Sequence, residues 1–206
     1  MIALLPAAPA RADSFVLGST NNTVSYTFDG VYYLDIGAGS FDVSELNGVD
    51  LPWVYCVDLL HEISPDDPYL NTAVRTDGSV NGSLVDHADQ VAWLLGAYAS
   101  SAAGNSAAEA ALQGLIWEAI YGTRFTFDPV GAQATYFDDW FEASYPSGNV
   151  ASYLWLTPDS RCLSATSGYG CVQGLVTDNS VPDPGSTLAL LSVGLIGLGA
   201  WRRRHP

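Results

Sequence analysis

The chain has 206 residues, 22 of them acidic and seven basic, and a formal net charge of −15. All seven basic residues are Arg, and four of them (Arg11, Arg202, Arg203, Arg204) lie at the two ends, leaving only Arg75, Arg124 and Arg161 between. Such a surface repels nucleic acid and anionic lipid, which excludes DNA binding.

In chain order, the first segment is a short apolar stretch that closes on Ala10-Arg11-Ala12, a small-residue pattern of the kind a signal peptidase accepts. No basic residues precede the stretch, so residues 1–12 are read as a truncated signal peptide whose start lies upstream. Residues 13–178 are read as one domain. Strand-like runs rich in Val, Tyr, Phe and Thr fall at Ser14–Leu17, Val24–Phe28, Val31–Ile36, Trp53–Asp58, Thr123–Phe127, Val150–Leu156 and Cys171–Val176. Between the early and late strands the periodicity changes. Asp86–Ala99 puts Val91, Leu94, Leu95 and Tyr98 on one helical face. Ser106–Tyr121 opens on Ser106-x-x-Glu109, a capping box, and stops at Gly122. Its apolar stripe is Leu112, Leu115, Ile116, Ala119 and Ile120, and a weaker helix is predicted over Ala132–Ser144. The fold class expected is mixed α/β and β-rich: a β-sandwich or barrel-like domain with a helical insertion, followed by a C-terminal transmembrane helix.

The three cysteines divide unevenly. Cys162 and Cys171 are separated by eight residues in a Ser/Gly-rich loop, the setting of a local disulfide in an oxidising compartment. Cys56 is left over, in the strand-like run Trp53-Val54-Tyr55-Cys56-Val57-Asp58. A lone strand cysteine is most often an inert buried thiol. Gln113 is the other residue out of place, an amide beside an apolar stripe and four residues before Trp117. Buried there, it needs a hydrogen-bonding partner.

The last segment, residues 179–206, reads as a sorting signal. Val181-Pro182-Asp183-Pro184-Gly185 precedes Ser186–Trp201, sixteen residues without a charge, and then Arg202-Arg203-Arg204. A bilayer helix needs about 17–25 residues, so this one is slightly short. The Arg cluster would stay cytoplasmic. The tail resembles the PEP-CTERM sorting signal, with Asp183 standing where the usual motif has Glu. The resemblance implies recognition and removal by an exosortase-type enzyme after transient anchoring in the inner membrane, and release at the cell envelope, the cell surface or an extracellular matrix.

Two internal segments together resemble the thioester domains of bacterial surface adhesins: Tyr55-Cys56-Val57-Asp58 on an early strand, and Gln113-Gly114-Leu115-Ile116-Trp117 on a later helix. Gly114 and Leu112 depart from the family's commoner forms. The resemblance implies an internal thioester between Cys56 and Gln113, formed by thiolate attack on the carboxamide carbon with loss of ammonia. Tyr55, Asp58 and Trp117 would surround it, with Asp58 or His61 available to orient or deprotonate the thiol. Both single Ala substitutions, at Cys56 and at Gln113, are expected to leave a folded domain.

The leading reading is therefore an exported protein that attaches once, covalently, to an unknown amine- or hydroxyl-bearing surface or matrix partner. It would be a reactive module and not an enzyme. A non-reactive structural protein with a free buried Cys56 is the alternative. A papain-like hydrolase using Cys56 with His61 or His87 is the third and weakest, because such cysteines open a helix after a Gly-rich turn. No HExxH, Ser-His-Asp order or phosphate-binding loop occurs, and Asp66-Asp67 and Asp138-Asp139 do not follow a calcium-loop pattern. No cofactor or metal is expected.

Overall fold

Alternation and turn chemistry build the first hairpin. In Thr23–Phe28 (β2) the side chains of Val24, Tyr26 and Phe28 are buried while their neighbours are not, the period-two pattern of a half-covered strand. Asp29 and Gly30 follow with φ of 49° and 80°, and Phe28 pairs with Val31 across them. Two consecutive positive φ angles make the tight turn whose twist matches a hairpin, and Val31–Gly37 (β3) returns along β2. The computed structural model describes residues 13–20, 22–64, 68–142, 144–159 and 171–179.

The remaining strands are Asp13–Val16 (β1), Glu45–Leu46 (β4), Val49–Asp50 (β5), Val54–Cys56 (β6), Tyr69–Arg75 (β7), Ser79–Val80 (β8), Ser83–Leu84 (β9), Phe125–Phe127 (β10), Tyr153–Thr157 (β11) and Leu175–Asp178 (β12). Seven of them form a half-barrel sheet in the order β5-β4-β1-β7-β11-β12-β6. A second sheet runs β10-β2-β3, and β8-β9 is a separate hairpin. The helices enter between β9 and β11. They are Ala88–Leu94 (α1), a π-helical turn over Leu95–Ala99, the short Ser100–Ala102 (α2), Ser106–Tyr121 (α3) and Ala132–Trp140 (α4).

Helix α3 lies between two cores. Leu112, Leu115 and Ile116 pack with Tyr55, Trp155 and Val176. Ala110 and Trp117 pack on the other side with Phe15, Tyr26, Cys56 and Leu175. A helix with apolar groups all round is a buried helix, and α3 carries more than the single stripe its sequence suggested. Its N-cap is Asn105, not Ser106: the Asn105 side chain accepts from Ala108 N at 3.2 Å. Glu109 then accepts from Gly104 N (2.8 Å) and from the Asn22 amide (3.0 Å), which ties the helix start to the loop before β2.

The β-rich class and the helical insertion match expectation, and several boundaries move. The strand expected over Trp53–Asp58 is only Val54–Cys56, and β12 begins at Leu175 and not Cys171. Gly122–Arg124 and Val150–Ser152 are 3₁₀ turns, and the helix expected over Asp86–Ala99 is interrupted by the π-helical turn. The central strand β7 and the hairpins β4-β5 and β8-β9 were not anticipated. Among the described residues no helix is long and apolar enough to cross a membrane, and Ser186–Trp201 lies outside them.

Candidate functional site

Strand β6 is the outermost strand of its sheet, beside β12. Val57 N donates to Gly174 O at 3.0 Å on the β12 side. Main-chain groups alternate direction along a strand, so the N–H and C=O of Cys56 face away from β12. Gln113 meets both. Its Oε1 accepts from Cys56 N at 2.9 Å and its Nε2 donates to Cys56 O at 2.8 Å. The carboxamide thus replaces one residue of a missing neighbouring strand, and Gln113 is fully buried in doing so.

The Cys56 side chain points into the core that contains Tyr26, Trp117 and Leu175. Its thiol donates to Gln173 Oε1 at 3.0 Å, and Gln173 Nε2 donates to the main-chain oxygen of Asp58 at 2.7 Å. The residue whose carboxamide touches the sulfur is therefore Gln173, while the expected partner, Gln113, holds the Cys56 main chain. Burial pushes the Cys56 thiol well above its ordinary value, and the nearby Asp58 carboxylate adds to the rise.

Trp117, one turn after Gln113, is buried against Tyr26 (ring centroids 5.4 Å) and Phe125 (5.8 Å). Its indole N–H has no partner among the described residues. Tyr55 lies on the opposite face of β6, with Trp53 at 5.8 Å, and does not surround the thiol. A cavity of about 350 Å³ lies over the site and is lined by Tyr26, Tyr33, His61, Glu62, Trp117 and Gln173.

Asp58 falls just past the end of β6, where regular alternation stops. Its Oδ2 lies 2.6 Å from His61 Nδ1 and accepts from Asn81 Nδ2 at 2.8 Å, and its Oδ1 accepts from Leu60 N at 2.9 Å. Among the described residues, no hydrogen bond links either Asp58 or His61 to the Cys56 sulfur. His87 caps α1 without a side-chain hydrogen bond and is exposed. Among the described residues no group of His, Cys, Asp and Glu is arranged to hold a metal. Cys162, and with it the expected Cys162–Cys171 bridge, lies outside the described residues; Cys56 is the free cysteine within them.

Gln173 is the functional candidate that reading the sequence missed. A signal was present: a single amide inside Cys171-Val172-Gln173-Gly174-Leu175-Val176, an otherwise apolar run.

Comparison with known proteins bears on the tail. Residues 180–205 match the VPDSG-CTERM motif. In that variant Asp is the regular acidic residue, so Asp183 is no substitution, and Pro184 is the position that differs from the motif's Ser. No curated protein and no solved structure matches the chain. The tail is a C-terminal sorting signal akin to PEP-CTERM, and it points to an exported, envelope-associated protein.

Proposed function

We propose that this exported protein carries an internal thioester between Cys56 and Gln173 and uses it once, to attach covalently to an amine- or hydroxyl-bearing surface or matrix partner. The observation that carries the reading is the 3.0 Å contact between Cys56 Sγ and Gln173 Oε1. In this reading the acyl partner is Gln173, because its carboxamide is the one that touches the sulfur, while the Gln113 carboxamide holds the Cys56 main chain. In the forming step the sulfur attacks the Gln173 carboxamide carbon, the thiol proton goes to the departing nitrogen, and ammonia leaves. Lysine, the natural nucleophile for such a bond, is absent from the chain, so copies would not cross-link each other through lysine.

Intact mass of the purified domain is the test. A thioester makes it lighter than its sequence mass by one ammonia. Methylamine should restore a free thiol and leave a methylamide, and peptide mapping should place that label on Gln173. A label on Gln113 would reassign the bond, and a full sequence mass with an alkylatable Cys56 would remove it. Without reductant, the same map would also recover Cys162 and Cys171 as one linked fragment. It would show termini near Asp13 and Pro184 if an exosortase-type enzyme removes the membrane segment.

The raised pKa of the Cys56 thiol supports a second reading. A sulfur kept protonated is a poor nucleophile. On that reading the protein is a structural envelope component with an inert core cysteine.

A further inference from the structure

We propose that His61 is the general base for opening the bond, taking the proton from the nucleophile that enters the cavity over Gln173. The inference rests on the thioester reading above. His61 and Gln173 line the same cavity, and the imidazole is one-third exposed there. Its orientation is fixed from behind. Asp58 Oδ2 holds Nδ1 at 2.6 Å and is itself fixed by the Asn81 amide and the Leu60 N–H. A carboxylate on Nδ1 makes that nitrogen the donor, which leaves Nε2 as the acceptor.

The other titratable groups around the imidazole fit the role less well. Tyr26, also in the cavity, is pushed up to about 12, first by burial and then by Tyr33, so it stays protonated at neutral pH. Tyr33 and Glu62 line the same cavity, and Asp86 and Tyr121 line the adjoining one that His61 also borders. Burial raises Tyr121 to about 12 as well. Glu62 is exposed, and the hydrogen bond it makes here is through its main-chain oxygen, to Gln173 N. Among the described residues that carboxylate has no Asp58-like anchor, and the control is His87, an exposed histidine that lines neither cavity.

The step balances as follows. The nucleophile's nitrogen or oxygen bonds to the Gln173 acyl carbon, the carbon–sulfur bond breaks, and its electron pair goes to the Cys56 sulfur. The proton leaves the nucleophile for His61 Nε2 and ends on that sulfur. Burial disfavours a bare thiolate at Cys56, so expulsion and protonation are coupled.

The test follows methylamine adduct formation by intact mass in wild type, His61→Ala, His61→Gln and His87→Asn. Both His61 variants should keep the ammonia deficit and react more slowly by roughly 10²–10⁴-fold, the usual contribution of a positioned base. Added imidazole should recover part of the rate in His61→Ala, and His87→Asn should match wild type. A wild-type rate in both His61 variants with the deficit intact would overturn the role, as would a His87→Asn variant as slow as the His61 variants. Loss of the deficit in both His61 variants would also overturn it, placing His61 in bond formation or loop structure. A wild-type protein without the deficit would instead remove the thioester reading and this one with it.

Discussion

Two glutamines near one cysteine have separable duties, and stability can tell them apart. Gln113 satisfies the N–H and C=O of Cys56 deep in the core. Replacing it with Ala leaves two buried main-chain groups unpaired, each costing about 1–3 kcal/mol. Gln113→Ala should therefore destabilise the domain by roughly 2–5 kcal/mol in denaturant melts. Gln173 is only partly buried and lines the cavity, so Gln173→Ala should cost less than Gln113→Ala while abolishing the mass deficit. Equal stability losses in the two variants would contradict this division. Trp117, by contrast, contributes through packing, as its ring contacts with Tyr26 and Phe125 indicate.

At the scale of elements, α3 and β10 meet at a glycine. A Cβ on Gly114 would stand 2.6 Å from the Phe127 ring, which is itself packed 5.1 Å from Phe137. Two effects compete in Gly114→Ala. Helix propensity favours Ala by about 1 kcal/mol. Forcing a ring aside in a packed core costs about 1–3 kcal/mol. The clash should win, with a net loss of up to roughly 2 kcal/mol. Adding Phe127→Leu should then recover part of it in a double-mutant cycle. If Gly114→Ala alone raises the melting temperature, the ring has room to move and the close approach is not limiting. The second sheet presses on α3 at Gly114 through the Phe127 ring.

Over the whole molecule, tyrosines whose ionisation burial disfavours set the response to alkaline pH. Tyr26, Tyr121 and Tyr145 have pKa values raised from 10.0 to about 12, burial being the first cause in each. In the unfolded chain these hydroxyls ionise near 10, whereas in the folded chain they hold their protons to about 12. Stability is thus intact below pH 10 and falls as pH rises through that window, because the unfolded state sheds protons first. Thermal melts across this range, followed with tyrosinate absorbance, should show the midpoint dropping together with tyrosine exposure. A midpoint flat to pH 12 would mean that these hydroxyls are not buried in solution. The sorting tail, residues 180–205, lies outside the described residues.

Local pattern in the sequence was enough for the sorting tail, the β-rich class, the span of α3 and the burial of Cys56 and Gln113. Each depends on a short-range signal: a motif, a period of two or 3.6 residues, or an amide among apolar neighbours. Asn47-Gly48 and Asn81-Gly82 carried the same kind of signal for the hairpins β4-β5 and β8-β9, through the turn chemistry that Asp29-Gly30 shows. Tertiary structure decided the rest. Strand β7, Tyr-Leu-Asn-Thr-Ala-Val-Arg, has no clean alternation and gains its place by pairing with β1 and β11. Spacing along the chain likewise could not say which glutamine reaches the sulfur. Strand pairing of β12 with β6 brings Gln173 to the thiol across 117 residues, while α3 delivers Gln113 to the main chain of the same cysteine. Those contacts are set by register and helix docking, and neither is encoded in any local window.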